Sequence, residues 1–157
     1  MLKIAIEEAN LNDLPAMSRL RAEDWGSANE WEPRVTAYMI HQQTPPYGLE
    51  PRTVLVAVDT EENEVIGMAA GHLSNRFGCQ GEIHWLDVDS KHRGKRVGEQ
   101  LVRGLFSWFS QQGAHKVCVT VTPTNDAART LYARFAAEPM GTHWLIFPDV
   151  SSLQVSA

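Results

Sequence analysis

The stretch from Glu82 to Val121 constrains the fold more than any other part of the chain. It opens with EIHWLDV, residues 82–88, rich in the aromatic and branched side chains of a strand. From Gly94 to Gln112 the residues Val97, Leu101, Leu105 and Trp108 recur at spacings of four, four and three. That is the apolar stripe of an amphipathic helix, and Gly113 suits its C-terminal cap. KVCVTV, residues 116–121, follows directly and is apolar almost throughout, as a strand covered on both faces must be. A strand, a crossover helix and a second strand in this order pair in parallel.

The flanking sequence reads as antiparallel. KIAIEEA (3–9) alternates like a strand, and Asn12 or Asp13 with Pro15 close behind starts a helix that runs to about Trp25. EWEPRVTAYMIHQQ carries a second helical pattern, which TPPYGLEP ends because prolines deny backbone donors. TVLVAVD and EVIGMAAGHL form a hairpin across Thr60-Glu61-Glu62-Asn63, and NRFGCQG leads through a second hairpin into EIHWLDV. Asn125 caps a short helix with Ala128, Leu131 and Phe135 on one side, and HWLIF closes the sheet. One domain over residues 1–150 and a polar tail over 151–157 are expected, with no repeat or linker.

Bulk properties narrow the function classes. With 43% hydrophobic and 21% charged residues, the 157-residue chain is an ordinary globular one. No run approaches the roughly 20 apolar residues of a membrane span, and the N-terminus has no signal-peptide pattern, so a cytoplasmic protein without membrane partners is expected. Cys79 and Cys118 show no CxxC and no ligand spacing to a histidine, which supports neither a disulfide framework nor a metal site. A net charge of -5 has the wrong sign for a nucleic-acid binder.

Against that acidic background Lys91, Arg93, Lys95 and Arg96 crowd one short turn ahead of the long helix. Free N–H groups at a helix start and the helix dipole attract anions, and Gly94 and Gly98 allow close backbone approach, so the turn fits a pyrophosphate. It is neither a G-x-x-x-x-G-K-[ST] loop nor a G-x-G-x-x-G turn.

Arg93-Gly94-Lys95-Arg96-Val97-Gly98 resembles the [QR]-x-x-G-x-[GA] signature of the GNAT acyltransferase superfamily, with Arg96 where the middle glycine usually stands. Asn125-Asp126-Ala127-Ala128-Arg129-Thr130-Leu131-Tyr132 is similar to that family's N-x-x-A-x-x-L-Y helix, at a suitable distance downstream; Ala136-Ala137 replace its usual Gly-Phe. The resemblance implies the single-domain GNAT fold, α/β (α+β), with a mixed, mostly antiparallel sheet of six to seven strands, about four helices and a parallel central pair. It also implies an N-acetyltransferase using acetyl-CoA as cosubstrate and no metal. Residues 93 to 98, Asn125 and Ala128 would bind the coenzyme, and Leu86 and Val88 would mark the strand end that hydrogen-bonds its pantetheine arm.

A protonated amine must lose a proton before it attacks a thioester. Strand alternation puts Glu82, His84, Leu86 and Val88 on one face and Ile83, Trp85 and Asp87 on the other, so Glu82 and His84 are both base candidates. The resemblance casts Tyr132 as the acid that protonates the leaving thiolate. Neither cysteine has a partner that would make it a nucleophile, which favours direct transfer in a ternary complex. Asp24, Trp25, Glu30, Trp31, Glu32, Tyr38 and Tyr47 supply acids and aromatics suited to a cationic small-molecule or peptide amine acceptor. A homodimer is compatible with such a small sheet. A non-catalytic acyl-CoA sensor is the alternative reading.

Overall fold

The computed structural model describes residues 2–152; residues 153–157 of the expected tail lie outside the described residues. The elements in chain order are β1 (Ile4–Glu8), α1 (Leu14–Ala22), α2 (Ala28–Met39), β2 (Gly48–Asp59), β3 (Glu64–Ser74), β4 (Gly81–Val88), α3 (Val97–Gln111), β5 (Val117–Thr120), α4 (Asp126–Ala133), β6 (Glu138–Met140) and β7 (Trp144–Phe147). The seven strands form one sheet in the order β1-β2-β3-β4-β5-β7-β6. Every neighbouring pair is antiparallel except β4 and β5, which run parallel as the crossover helix requires.

Most boundaries follow local chemistry. Ser27 starts α2, its hydroxyl accepting from the Glu30 N–H at 3.3 Å. Gly26 in the left-handed region separates that helix from α1, which stops at Ala22, short of the Trp25 limit expected from the sequence. β2 begins at Gly48, inside the segment expected to be loop. The strand accommodates Pro51 because its register with β3 shifts between Leu49 and Arg52, where no ladder bond is asked of the proline nitrogen. β6, with only three residues, is too short to leave an alternating pattern.

Helices α3 and α4 cover one face of the sheet and α1 and α2 the other. Under α3 and α4 lies an apolar core that includes Leu101, Leu105, Phe106, Phe109, Phe135 and Phe147. Met17, Trp31, Val35, Tyr38, Met68 and Trp85 make a separate cluster beneath α1 and α2.

β4 corrects the expected alternation. Ile83 pairs with Gly71 and Trp85 with the adjacent Ala70, leaving His84 as an extra residue, a β-bulge. His84 and Trp85 therefore both contact Tyr38 of α2, while Leu86 and Val88 join Ile83 against the α3 core. Trp85 and Asp87 do not share a face with Ile83, and Leu86 and Val88 do not share one with His84.

Candidate functional site

The parallel pairing of β4 and β5 spans only Gly81–Ile83 against Val117–Val119. Beyond it the strands separate, and the gap holds a cavity of about 270 Å³ lined by His84, Leu86 and Asp87 from β4. Thr120, Thr122, Asn125, Ala128 and Tyr132 line it from the other side, and Arg21 and Asp24 close it from α1 and the turn after it.

Val88, where β4 ends, stands beside Gly98 in the first turn of α3, 3.6 Å from where a Cβ there would lie. Arg96 precedes that helix with φ 66° and no side-chain cap, so the first N–H groups of the helix are free to meet an anion. Left-handed backbone is disfavoured for side chains with a Cβ, which explains why glycine usually stands at this place in the signature. Gly94, at φ 78°, has open space where a Cβ would point, and Lys91, Arg93, Lys95 and Arg96 are exposed around it. Arg93 lies 3.7 Å from Glu23. The donor set fits a polyphosphate. At Gly98 a Cβ would meet Leu131 of α4 at 3.1 Å, so its small size serves the packing of α3 on α4.

Tyr132 is 4% exposed, packs edge-on against Phe147 and lines the cavity. Burial pushes its phenol far above the ordinary value, and the Asp87 carboxylate adds to this, so the group holds its proton at neutral pH. Asn125 caps α4 by accepting from the Ala128 N–H at 3.1 Å, while both residues line the cavity.

The two base candidates are placed differently. His84 lines the cavity, stacked at 4.7 Å on Tyr38, and burial, with His72, Arg21 and Arg52 around it, holds its imidazole down to about 3. Glu82 is buried beside the closed end of the β4 and β5 pair and is absent from the cavity lining. Burial raises its carboxyl above the usual range, and Arg76, donating to Oε1 at 3.0 Å, offsets part of that rise. Between them stands His72, wholly buried, with Nδ1 3.0 Å from the Tyr38 hydroxyl and Nε2 4.0 Å from Glu82 Oε1. Its imidazole is held down to about 4, first by burial.

Some of the site was not anticipated. Arg21 donates to Asp87 at 2.9 Å and lies 4.4 Å from the Trp31 ring centroid and 5.2 Å from that of Trp85. Burial raises the Asp87 carboxyl and Arg21 opposes it. These partners are 66 positions apart, so no local pattern joins them. Of the residues proposed for the acceptor, Asp24 lines the cavity. Trp31 and Tyr38 are instead core residues, and Trp25, Glu30, Glu32 and Tyr47 are exposed. Among the described residues no cluster of His, Cys, Asp or Glu could hold a metal ion, and no helix is long and apolar enough to cross a membrane.

The family described as Acetyltransferase (GNAT) matches residues 14–137. YobR of Bacillus subtilis (strain 168), an uncharacterized N-acetyltransferase, is 36% identical over 63 residues, 40% of this chain; the match spans only 26% of that relative. The NatC complex bound to Gag peptide and CoA includes a chain with TM-score 0.74 and 19% identity, over 94% of this chain and 99% of that one. An N-acetyltransferase from Staphylococcus aureus Mu50 gives 0.72 and 16%, with the same coverages. PaiA N-acetyltransferase from Thermoplasma acidophilum, in complex with coenzyme A, gives 0.67 and 12%, over 92% and 98%. At these identities the structural likeness speaks for the fold alone.

Proposed function

Because the chain belongs to the acetyltransferase (GNAT) family, we propose that it moves an acetyl group from acetyl-CoA to a primary amine by direct transfer in a ternary complex. The observation that carries this reading is the gap between β4 and β5, with the buried Tyr132 phenol on one wall and the uncapped start of α3 beyond.

In this reading residues 93 to 98 hold the diphosphate, with Lys91 adding charge, and the β4 backbone at Leu86 and Val88 takes the pantetheine arm. Acetyl-CoA supplies the activated thioester. Glu82 takes a proton from the acceptor ammonium, through His84 or a water, because its raised basicity is better matched to neutral pH than that of the depressed imidazole. The amine lone pair then forms the new C–N bond and the C–S bond breaks. Tyr132 protonates the departing sulfur and recovers its proton from the nitrogen as the amide forms, so one proton per turnover leaves through Glu82. Asp24, Asp87 and Arg21 give the acceptor side a net charge of about -1, which suits a small-molecule or peptide amine.

Release of free coenzyme A from acetyl-CoA in the presence of an amine library tests this directly. Turnover with at least one amine is expected; saturable coenzyme binding with no turnover would replace the enzyme by an acyl-CoA sensor.

A further inference from the structure

A carboxylate taken out of water acquires a proton unless something keeps it charged. Glu82 is only 5% exposed, and its charged partner comes from the short loop joining β3 to β4: Arg76, whose Nε donates to Glu82 Oε1 at 3.0 Å. This guanidinium is held on several sides. It lies 4.7 Å from the ring centroids of both Tyr47 and Trp144 and 5.9 Å from that of Phe77, and its Nη2 donates to the Pro46 carbonyl at 3.1 Å.

The walls of this cage are themselves unusual. Tyr47 and Phe77 have φ of 62° and 56°, in the left-handed region that bulky side chains rarely occupy. They are 62% and 48% exposed, so core burial does not explain why either aromatic sits there. Backbone strain kept at exposed positions is a mark of functional segments. The Asn75 N–H also donates to the Tyr47 carbonyl at 3.3 Å, tying the two loops of the cage together.

The other groups facing Glu82 do not duplicate the contact. His72 of β3 approaches the same oxygen to 4.0 Å, but its burial keeps it neutral at neutral pH, and its Nε2 has no hydrogen-bond partner. Cys118 of β5 is the register partner of Glu82, and Cys79 lies beside Cys118; burial keeps both as thiols. Tyr38 of α2 is a protonated phenol, and Arg52 of β2 stacks on that ring and donates elsewhere.

We propose that Arg76 is a positioning residue for proton transfer: caged by Tyr47, Phe77 and Trp144, it keeps the buried Glu82 carboxylate ionised and able to accept the proton of the acceptor amine. This rests on the assignment of Glu82 as base. Without Arg76 the carboxyl binds its proton through neutral pH and the base is already filled when the amine arrives.

The test compares pH profiles of kcat/KM for wild type, Arg76→Gln, Arg76→Lys and Glu82→Gln, with coenzyme A affinity measured by calorimetry in each. For Arg76→Gln the acid limb is expected to move up by about two pH units. Its rate falls about tenfold at pH 7 and recovers toward pH 9, with coenzyme affinity within about twofold of wild type. Arg76→Lys keeps the charge and stays nearer wild type. An unmoved limb in Arg76→Gln, or a loss equal at all pH values, overturns the proposal. Persistence of the limb in Glu82→Gln overturns instead the choice of base. A carboxyl carbon NMR titration of Glu82 in wild type and Arg76→Gln then decides the Arg76 contact without using activity: the midpoint must rise in the variant. Should Arg76→Gln fail to fold, Tyr47→Ala and Trp144→Leu loosen the cage around an intact arginine. A smaller upward shift is expected there, and its absence in both counts against the proposal.

Discussion

The two faces of the sheet are built on different principles. Under α3 and α4 the packing is aliphatic and aromatic, from Leu101 and Phe106 to Phe135 and Phe147. Across the sheet, beneath α1 and α2, Ser18, His72 and Glu82 are buried and Arg21 bonds Asp87 among tryptophans. The first face supplies stability, since apolar burial brings no desolvation penalty. The second gives some of that up to hold polar groups where their basicity is altered. One strand, β4, serves both faces because its bulge redirects side chains from one to the other.

Substitutions can break this contrast, beginning with the largest effect. Phe109 is fully buried in the apolar core, with its ring against Gly71 and Gly81. Phe109→Ala should remove about 3–5 kcal/mol of stability by urea unfolding. A loss below about 1 kcal/mol would deny that this face carries the fold.

On the polar face, His72 has a depressed basicity of about 4. The unfolded chain then binds protons that the native state refuses, so this contribution is intact above about pH 6.5 and drains away as pH falls toward 4. Wild type should lose on the order of 3 kcal/mol more than His72→Gln across that window. Glu82 and Asp87 have raised values and act in the opposite sense, so the comparison between variant and wild type is the informative one. Parallel melting curves would show that His72 is not strained by burial.

Tyr132 belongs to α4 yet lines the cavity. Tyr132→Phe should lower kcat about 100-fold while leaving coenzyme affinity within about twofold; an unchanged kcat would return the residue to the structural face. The smallest change is expected from Arg96→Gly, which relieves a left-handed φ of 66°. Stability should rise by about 1 kcal/mol in thermal melts as coenzyme affinity falls through the lost charge.

The apolar face was the more legible one. Val97, Leu101 and Leu105 mark it by spacing alone, although Val102, Phe106 and Phe109 are also buried and Trp108 is only partly covered. The parallel pair followed from element order, and the Asn125 cap from local chemistry. On the polar face the parity of β4 failed past His84 because a bulge depends on how two strands pair. Arg21 with Asp87 and Arg76 with Glu82 escaped for a related reason: each needs a fold to bring the partners together.

The early parting of β4 from β5 leaves the middle of the sheet with what is normally a property of its margins. From His84 to Val88, β4 has no ladder partner on its β5 side among the described residues. Exposed strand borders invite self-association, whereas this one lines a cavity in the middle of the sheet. A slender extended ligand can enter and complete the row of hydrogen bonds, acting as a temporary strand. The amides of this segment should then exchange with solvent more slowly once it is seated, with the rest of the sheet little altered.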